Sequence, residues 1–170
     1  TKTYEANTDK YGKMSELLLE ATSAYAARNK CCPKEIIVFT NTCSGDQVRL
    51  YQEFFIEPTR TKFLEIYSNE RIKLTVIMIN VKTNERFFVE DGNMIRNVNA
   101  GTLVSEELVS SNYDFYIMSQ QSNKGTTVPN HYKVIYANST LDEGELEELA
   151  FSQCFNYVNW TGSIKVPAIL

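Results

Sequence analysis

The chain has 170 residues, of which 43% are hydrophobic, and carries a formal net charge of −4. This size and apolar content predict one ordinary domain with a substantial buried core. The sequence has no apolar run of about 20 residues, which excludes a membrane-spanning helix of ordinary length, and the negative charge argues against sequence-blind coating of nucleic acid, which depends on positive potential.

The first half of the chain combines helical and strand patterns. Apolar residues at three- and four-residue steps predict an amphipathic helix over 13–28. The next segment, 35–39, is apolar and β-branched, as expected for a strand buried on both faces of a parallel sheet. A second helix is predicted around 48–55 and a third beyond Pro58, around 63–67. A helix followed by a buried strand indicates α/β layering.

Further strands are predicted along the second half, at 74–79, 86–89, 114–119, 132–137 and 163–166. We expect 86–89 to pair with 74–79 across the turn 80–85, and the Asn- and Gly-rich stretch 90–100 to form a loop. The polar stretch 120–130 is predicted to be another loop, and loops on a rigid sheet often carry binding residues.

A last helix is predicted after residue 140. Thr140 and Glu143 have the spacing of a capping box, in which a hydroxyl and a carboxylate satisfy free amides at a helix start. The apolar residues that follow fit one helical face, namely Leu146, Leu149, Ala150, Cys154 and Tyr157. Gly162 is expected to end this segment. The sequence has no internal repeat or flexible linker, so we expect a single domain.

The cysteine and histidine content gives little support to a metal site or a covalent nucleophile. Of the four cysteines, Cys31 and Cys32 are adjacent, and neither Cys43 nor Cys154 has a partner at metal-ligand spacing. We expect reduced, structural thiols. For His131, the only histidine, a packed or hydrogen-bonded role is favoured over catalysis. No metal-binding residues are predicted.

The C-terminal part of the chain carries a family resemblance. The last predicted helix is preceded by DFYIMSQQSNKGTTVPNHYKVIYANST, which starts at Asp114, and followed by YVNWTGSIKVPA, which ends at Ala168. Together with blocks at 33–47, 74–88 and 100–102, these motifs resemble the PIWI domain of Argonaute proteins, and 159–168 is closest to the Piwi branch. The resemblance implies an α/β, RNase H-like fold. It also implies that 1–170 is the C-terminal portion of a longer protein, incomplete at both ends, without the first core strand and the final C-terminal segment.

The resemblance implies an altered cleavage site. Slicing Argonautes hold two divalent metals around the scissile phosphate, and such metals need charged oxygen ligands. Asn41 stands in the turn 40–42 where those members carry an Asp, and Asp9 stands where they carry a Glu. An Asn amide brings no charge, and Asp9 is one methylene shorter than Glu. We therefore expect loss of slicing and assign no catalytic residue. We also expect no cofactor. Mg2+ or Mn2+ would be a cofactor only if slicing were retained. Taken alone, Asn41 is typical of a turn after a strand, and Asp9 of a solvated helix start.

The resemblance also implies contacts with RNA. Tyr157 corresponds to a family tyrosine that contacts guide phosphates, and Lys165 to a polar or basic position that faces the same backbone. Lys82 and Arg86 belong to a turn that is usually more basic in the family, and Gln47 coincides with a Gln that faces a phosphate or caps a helix. The residues alone allow other roles: a packed helix-face tyrosine, a solvated strand lysine, a solvated hairpin turn and a helix cap.

The implied function is small-RNA-guided gene silencing, in which the chain binds guide RNA and the guide–target duplex through phosphate contacts and does not slice. The expected partners are a small guide RNA, a complementary target RNA and silencing-complex proteins, with no membrane. One alternative is a weak, metal-dependent, guide-directed RNA endonuclease, and another is a PIWI surface that mainly docks proteins. Because the first residues lack a secretion signal, we expect a cytoplasmic or nuclear protein, or one found in both compartments, that is not secreted.

Overall fold

The structure, a computed structural model, describes residues 2–41, 45–67, 72–105, 113–122 and 124–168, without the side chains of 2–9, 45 and 46. The helices are α1 (Lys2–Asn29), α2 (Gly45–Tyr51), α3 (Glu57–Tyr67) and α4 (Glu143–Ser152). The strands are β1 (Glu35–Asn41), β2 (Lys73–Asn80), β3 (Phe88–Asp91), β4 (Met94–Asn97), β5 (Leu103–Val104), β6 (Asp114–Ile117) and β7 (Asn130–Ala137).

The strands form a five-stranded sheet in the order β1-β2-β7-β6-β5 and a separate two-stranded ribbon of β3 and β4. Within the large sheet, β5 pairs antiparallel with β6, and β6 antiparallel with β7. The α/β layering expected from the sequence is confirmed. β1 is half-buried rather than buried on both faces, because it lies at the end of this strand order. No helix among the described residues is long and apolar enough to cross a bilayer.

The chain divides into two compact units, and the first comprises residues 1–38, 43–76 and 135–140. In this unit the described buried side of α1 carries Tyr11, Ser15 and Thr22. Thr59 Oγ1 of α3 donates to Ser15 Oγ at 2.9 Å in the interior. The apolar stripe predicted for this helix is wrong, since Leu17 is exposed. Small hydroxyl side chains let the two helices approach closely while their polar atoms remain hydrogen-bonded.

The second and third predicted helices are continuous rather than separated. A π-helical turn, Gln52–Ile56, joins α2 to α3, and the Glu57 N–H donates to the Gln52 carbonyl. Pro58 is the second residue of α3, so it does not break the helix as predicted. Because proline has no N–H to donate, it interrupts the regular hydrogen-bond ladder of a continuous helix, and a local π-helical turn is one way in which a helix accommodates such an interruption.

The second unit comprises residues 39–42, 77–134 and 141–170. Its core contains the central residues of β6 and the buried face of α4. Phe115 stacks on Tyr132 with ring centroids 4.9 Å apart, and α4 contributes Leu146 and Ala150. Cys154, in the 3-10 turn that follows, is fully buried. These residues confirm the predicted strands at 114–119 and 132–137 and most of the predicted apolar helix face.

In the second unit, the structure differs from the sequence-based prediction in three places. β3 pairs with β4, with Phe88 opposite Asn97, so 86–89 does not pair with 74–79 and 90–100 is not all loop. The two-residue loop between these strands is Gly92-Asn93, and Gly at the first loop position favours a tight hairpin because it readily adopts the φ of +62° found here. The capping box of α4 uses Asp142 and Glu145, two residues later than predicted. Residues 163–166 form no strand.

Candidate nucleic-acid interface

The segment 153–168 of the second unit is a loop whose two ends are joined. The Ile164 N–H donates to the Cys154 carbonyl at 2.8 Å, and the Ala168 N–H donates to the Gln153 carbonyl at 2.9 Å. Between these bonds, residues 155–161 are all exposed. Tyr157 therefore lies in a solvent-facing loop and not on the packed helix face that the sequence predicted.

A set of four side chains, which we call the clasp, fixes the backbone at Lys165. The clasp consists of Ser119, Gln120, Asn130 and Ser163. Ser119 Oγ donates to the Lys165 carbonyl at 2.7 Å, and the Asn130 amide donates to the same carbonyl and to Ser119 Oγ. Ser163 Oγ donates to the Ser119 carbonyl at 2.6 Å, and Gln120 Nε2 donates to the Ser163 carbonyl at 2.6 Å. Because Asn130 and Ser119 are buried, the clasp holds this backbone firmly.

The Lys165 side chain is exposed beside a polar pocket of about 250 Å³. The pocket is lined by Ser119, Gln120, Gln121, Ser122, Thr126, Thr127, Val128 and Lys165. The Ser119 and Ser122 hydroxyls already donate to the Lys165 and Lys124 carbonyls, so they are not donors for a ligand. The hydroxyl and amide groups of the other lining residues can donate hydrogen bonds, and Lys165 adds the positive charge that a phosphate oxygen favours. The loop predicted at 120–130 thus contributes the polar surface expected of it.

The turn at 80–86 meets the same lysine. Lys165 Nζ donates to the Val81 carbonyl at 3.1 Å, and Thr83 Oγ1, which is buried, donates to the Pro129 carbonyl at 3.0 Å. Lys82 is exposed. Arg86 Nη1 donates to the Thr83 carbonyl at 2.8 Å, so its guanidinium group is partly used by its own turn. Lys82, Arg86 and Lys165 are all exposed, so each of them presents a cation on this surface.

Asn41 is the last residue of β1 and borders an open groove of about 250 Å³. The described residues that line the groove are Phe39, Thr40, Asn41, Ile79, Val166 and Pro167. They supply one amide and one hydroxyl but no carboxylate, whereas Mg2+ and Mn2+ in a two-metal site depend on charged oxygen ligands. The described surroundings of Asn41 therefore do not fit the metal pair that the family resemblance implies.

The other predicted site residues belong to the first unit or have side chains outside the described part of the structure. Gln47 is half-buried in α2, which belongs to the first unit. Asp9 lies within α1, but its side chain is outside the described part of the structure. No group of three or more His, Cys, Asp or Glu side chains suited to a metal occurs among the described residues.

The environments of His131 and Cys154 fit the structural roles expected for them, whereas those of Cys31 and Cys32 do not. His131 stacks on Tyr116 with centroids 4.5 Å apart, and its Nε2 lies 3.3 Å from the buried carboxylate of Asp114. Cys154 is buried, which raises the pKa of its thiol to about 11. Cys31 and Cys32 are exposed free thiols, so the expected structural role is wrong for these two.

Three features of this surface were missed from the sequence. Ser119 and Asn130 lie 46 and 35 residues from Lys165, and no local spacing connects them. Trp160 is exposed in the loop at 155–161, and its only sequence signal was its place in the family motif.

Comparisons with known proteins match most of the chain. A family model described as the Piwi domain matches residues 1–170. Piwi-like protein Ago3 of Bombyx mori is 31% identical over 152 residues, which is 89% of this chain and 16% of that protein. The crystal structure of Drosophila Piwi has a TM-score of 0.77 at 26% identity, and the match covers 90% of this chain and 21% of that one. The Kluyveromyces polysporus Argonaute, solved with a guide RNA, has a TM-score of 0.76 at 23% identity over 91% of this chain and 19% of that one, which supports the fold alone.

These likenesses confirm the RNase H-like α/β fold and the resemblance to the Piwi branch. This chain spans about a sixth of the length of the Bombyx relative. Because the family model matches from the first residue to the last, the chain belongs to the Piwi domain family.

Proposed function

We propose that the chain serves small-RNA-guided gene silencing by holding guide RNA, and the duplex of guide with target, through its phosphates. The observation that carries the proposal is the fixed position of Lys165. Its backbone is held by the clasp, and its ammonium group is exposed beside a polar pocket and the Lys82 turn. A preorganised cation beside hydrogen-bond donors suits a phosphate diester, which carries charge but no sequence information.

Membership of the Piwi domain family supports RNA as the ligand. Tyr157 supports the same proposal, because its exposed ring and hydroxyl lie in the loop that ends at the clasp. The proposed partners are a small guide RNA, its complementary target RNA and proteins of a silencing complex. Residues 1–170 would act in this complex as a PIWI domain within a longer protein.

We propose further that the chain does not cleave the target. The groove at Asn41 supports this, since its described lining supplies no carboxylate. Asp9, at the second altered position, is shorter than the Glu of slicing members. A metal-dependent endonuclease remains the alternative that the cleavage assay below would detect.

The binding proposal is tested by fluorescence anisotropy of a single-stranded RNA over a series of salt concentrations. Lys165→Met should reduce the slope of log affinity against log salt by about 0.7, the value for one lost phosphate contact on a single strand. Lys34→Met is the matched control, because Lys34 is exposed in the first unit and the change in net charge is the same. Equal slopes for Lys165→Met and Lys34→Met would refute the assignment of Lys165. Tyr157→Phe, which removes only the hydroxyl, should weaken binding without changing the slope.

The absence of slicing is tested with the full-length protein that carries this chain, loaded with a defined guide. A matched target RNA is incubated with Mg2+ or Mn2+, and we expect no cut at the position set by the guide. Guide-positioned cleavage that Asn41→Ala abolishes would overturn this part of the proposal.

A further inference from the structure

Residues 155–161 form an exposed loop rich in aromatic side chains, which we call the aromatic loop. Its exposed apolar members are Phe155, Tyr157, Val158 and Trp160. The hydrogen bond from the Ile164 N–H to the Cys154 carbonyl closes the loop at its base, and Phe155 packs edge-on against Phe151 with centroids 5.2 Å apart. Four exposed apolar side chains in one closed loop are a candidate binding surface.

Trp160 occupies a defined position in this loop. Its backbone N–H donates to the Tyr157 carbonyl at 3.1 Å, which closes a tight turn. The edge of its indole ring lies over Gly162, where an added Cβ would be only 3.1 Å from Nε1 and 3.7 Å from Cδ1. The residue is nevertheless 60% exposed. An aromatic ring that rests on the backbone and still faces solvent loses little conformational freedom when a ligand stacks on it.

The charge of the segment favours an anionic ligand. Lys165 is the only charged residue between positions 153 and 168, in a chain with a net charge of −4. Trp160 and Lys165 are five residues apart, so their Cα atoms are at most about 17 Å from each other. Exposed aromatic rings near a cation are the combination that binds single-stranded nucleic acid, since bases stack on the rings and phosphates pair with the cation.

We propose that Trp160 is a stacking platform for an unpaired base of single-stranded RNA whose backbone runs past Lys165. The inference rests on the proposed function and adds a base contact to its phosphate contacts. Stacking uses the π-face that every base has, so this contact should tolerate different base identities. Gly162 provides the space that keeps the indole in place.

The test uses the fact that Trp160 is the only tryptophan of the chain. Its fluorescence is followed while a single-stranded RNA is added, and an oligomer of abasic ribose phosphates of equal length serves as the control ligand. RNA should quench the emission, and the abasic oligomer should not. In anisotropy measurements, Trp160→Ala should weaken RNA binding by about 5- to 150-fold, the equivalent of 1–3 kcal/mol per stacked base. Trp160→Phe should retain part of the affinity, and the abasic oligomer should bind Trp160→Ala and wild type equally.

Val158→Ala is the matched control variant, because Val158 is the most exposed apolar residue of the same loop, at 79%. Stacking predicts that this change leaves RNA binding unaltered. Equal losses for Val158→Ala and Trp160→Ala would overturn stacking in favour of a general apolar contact. RNA binding that depends on salt but neither quenches Trp160 nor responds to Trp160→Ala would overturn the inference and leave the proposed function standing. Absence of RNA binding in any form would overturn both.

Discussion

The clasp predicts a specific loss of stability when Asn130 is truncated. Asn130 is only 1% exposed, and its amide donates to Ser119 Oγ at 3.2 Å and to the Lys165 carbonyl. A hydrogen bond contributes about 0.5–1.5 kcal/mol net, so Asn130→Ala should lower the free energy of unfolding by about 1–3 kcal/mol. Ser119 Oγ still donates to the Lys165 carbonyl at 2.7 Å, which keeps that acceptor satisfied and holds the loss within this range.

Urea denaturation of the wild type and the variant measures this loss. Asn156→Ala is the matched control, because the Asn156 amide also donates a hydrogen bond, to Gln153 Oε1 at 2.7 Å, but in an exposed position. We expect the control to cost less than about 0.5 kcal/mol, as surface substitutions usually do. Asn130→Asp should cost more than Asn130→Ala at neutral pH, because it replaces a buried donor with a charge facing a carbonyl.

A double-mutant cycle adds a second criterion. Ser119 and Asn130 both donate to the Lys165 carbonyl and also bond to each other. Residues that share a partner in this way couple by about 0.5–3 kcal/mol. If Asn130→Ala costs no more than Asn156→Ala, or if the losses from Ser119→Ala and Asn130→Ala simply add, the clasp is not a connected network and the argument for a fixed Lys165 fails.

Two predictions concern the thiols. Alkylation at about pH 8 should label Cys31 and Cys32 in the native chain but Cys154 only after unfolding. The reason is that Cys154 is fully buried and ionises at a higher pH than an exposed thiol. Labelling is measured by peptide mass spectrometry, and native Cys154 labelled as fast as Cys31 would contradict the prediction. The free energy of unfolding should fall as the pH rises through about 9 to about 11, because burial raises the pKa of Cys154 from 9.0 to about 11 in the fold. The contribution is fully present below the unfolded pKa and is lost as pH passes the folded one. Denaturation at several pH values should show a smaller alkaline loss for Cys154→Ala, and an identical pH profile in that variant would refute the assignment.

The core strands were predictable from the sequence because their composition leaves few alternatives. The runs at 74–79 and 114–119 are apolar or β-branched, and both became buried strands. The helix predicted at 13–28 also exists, but its buried side could not be inferred from hydrophobicity. Ser15 and Thr22 are buried there while Leu17 is exposed, because packing against α3 depends on close approach and on a hydrogen bond to Thr59.

Local chemistry predicted helix boundaries less well. Pro58 suggested a break, yet α2 and α3 are continuous through a π-helical turn that ends two residues before the proline. The capping box was misplaced by two residues, because Thr140 donates to Glu35 Oε2 and leaves the cap to Asp142. For the capping box, two local solutions were chemically acceptable, and a contact distant in sequence selected one.

The sequence by itself determined the residue types of the candidate site: an amide at 41 in place of a carboxylate, a tyrosine at 157 and a lysine at 165. Only the tertiary structure decided their surroundings. The groove at Asn41 requires β1 to end beside Ile79 and Pro167, and the fixed backbone of Lys165 requires Asn130, which the register of β6 and β7 sets opposite Ile117. Such contacts join residues that are tens of positions apart. They are specified by strand pairing and by the burial of polar groups, and local sequence periodicity does not reveal them.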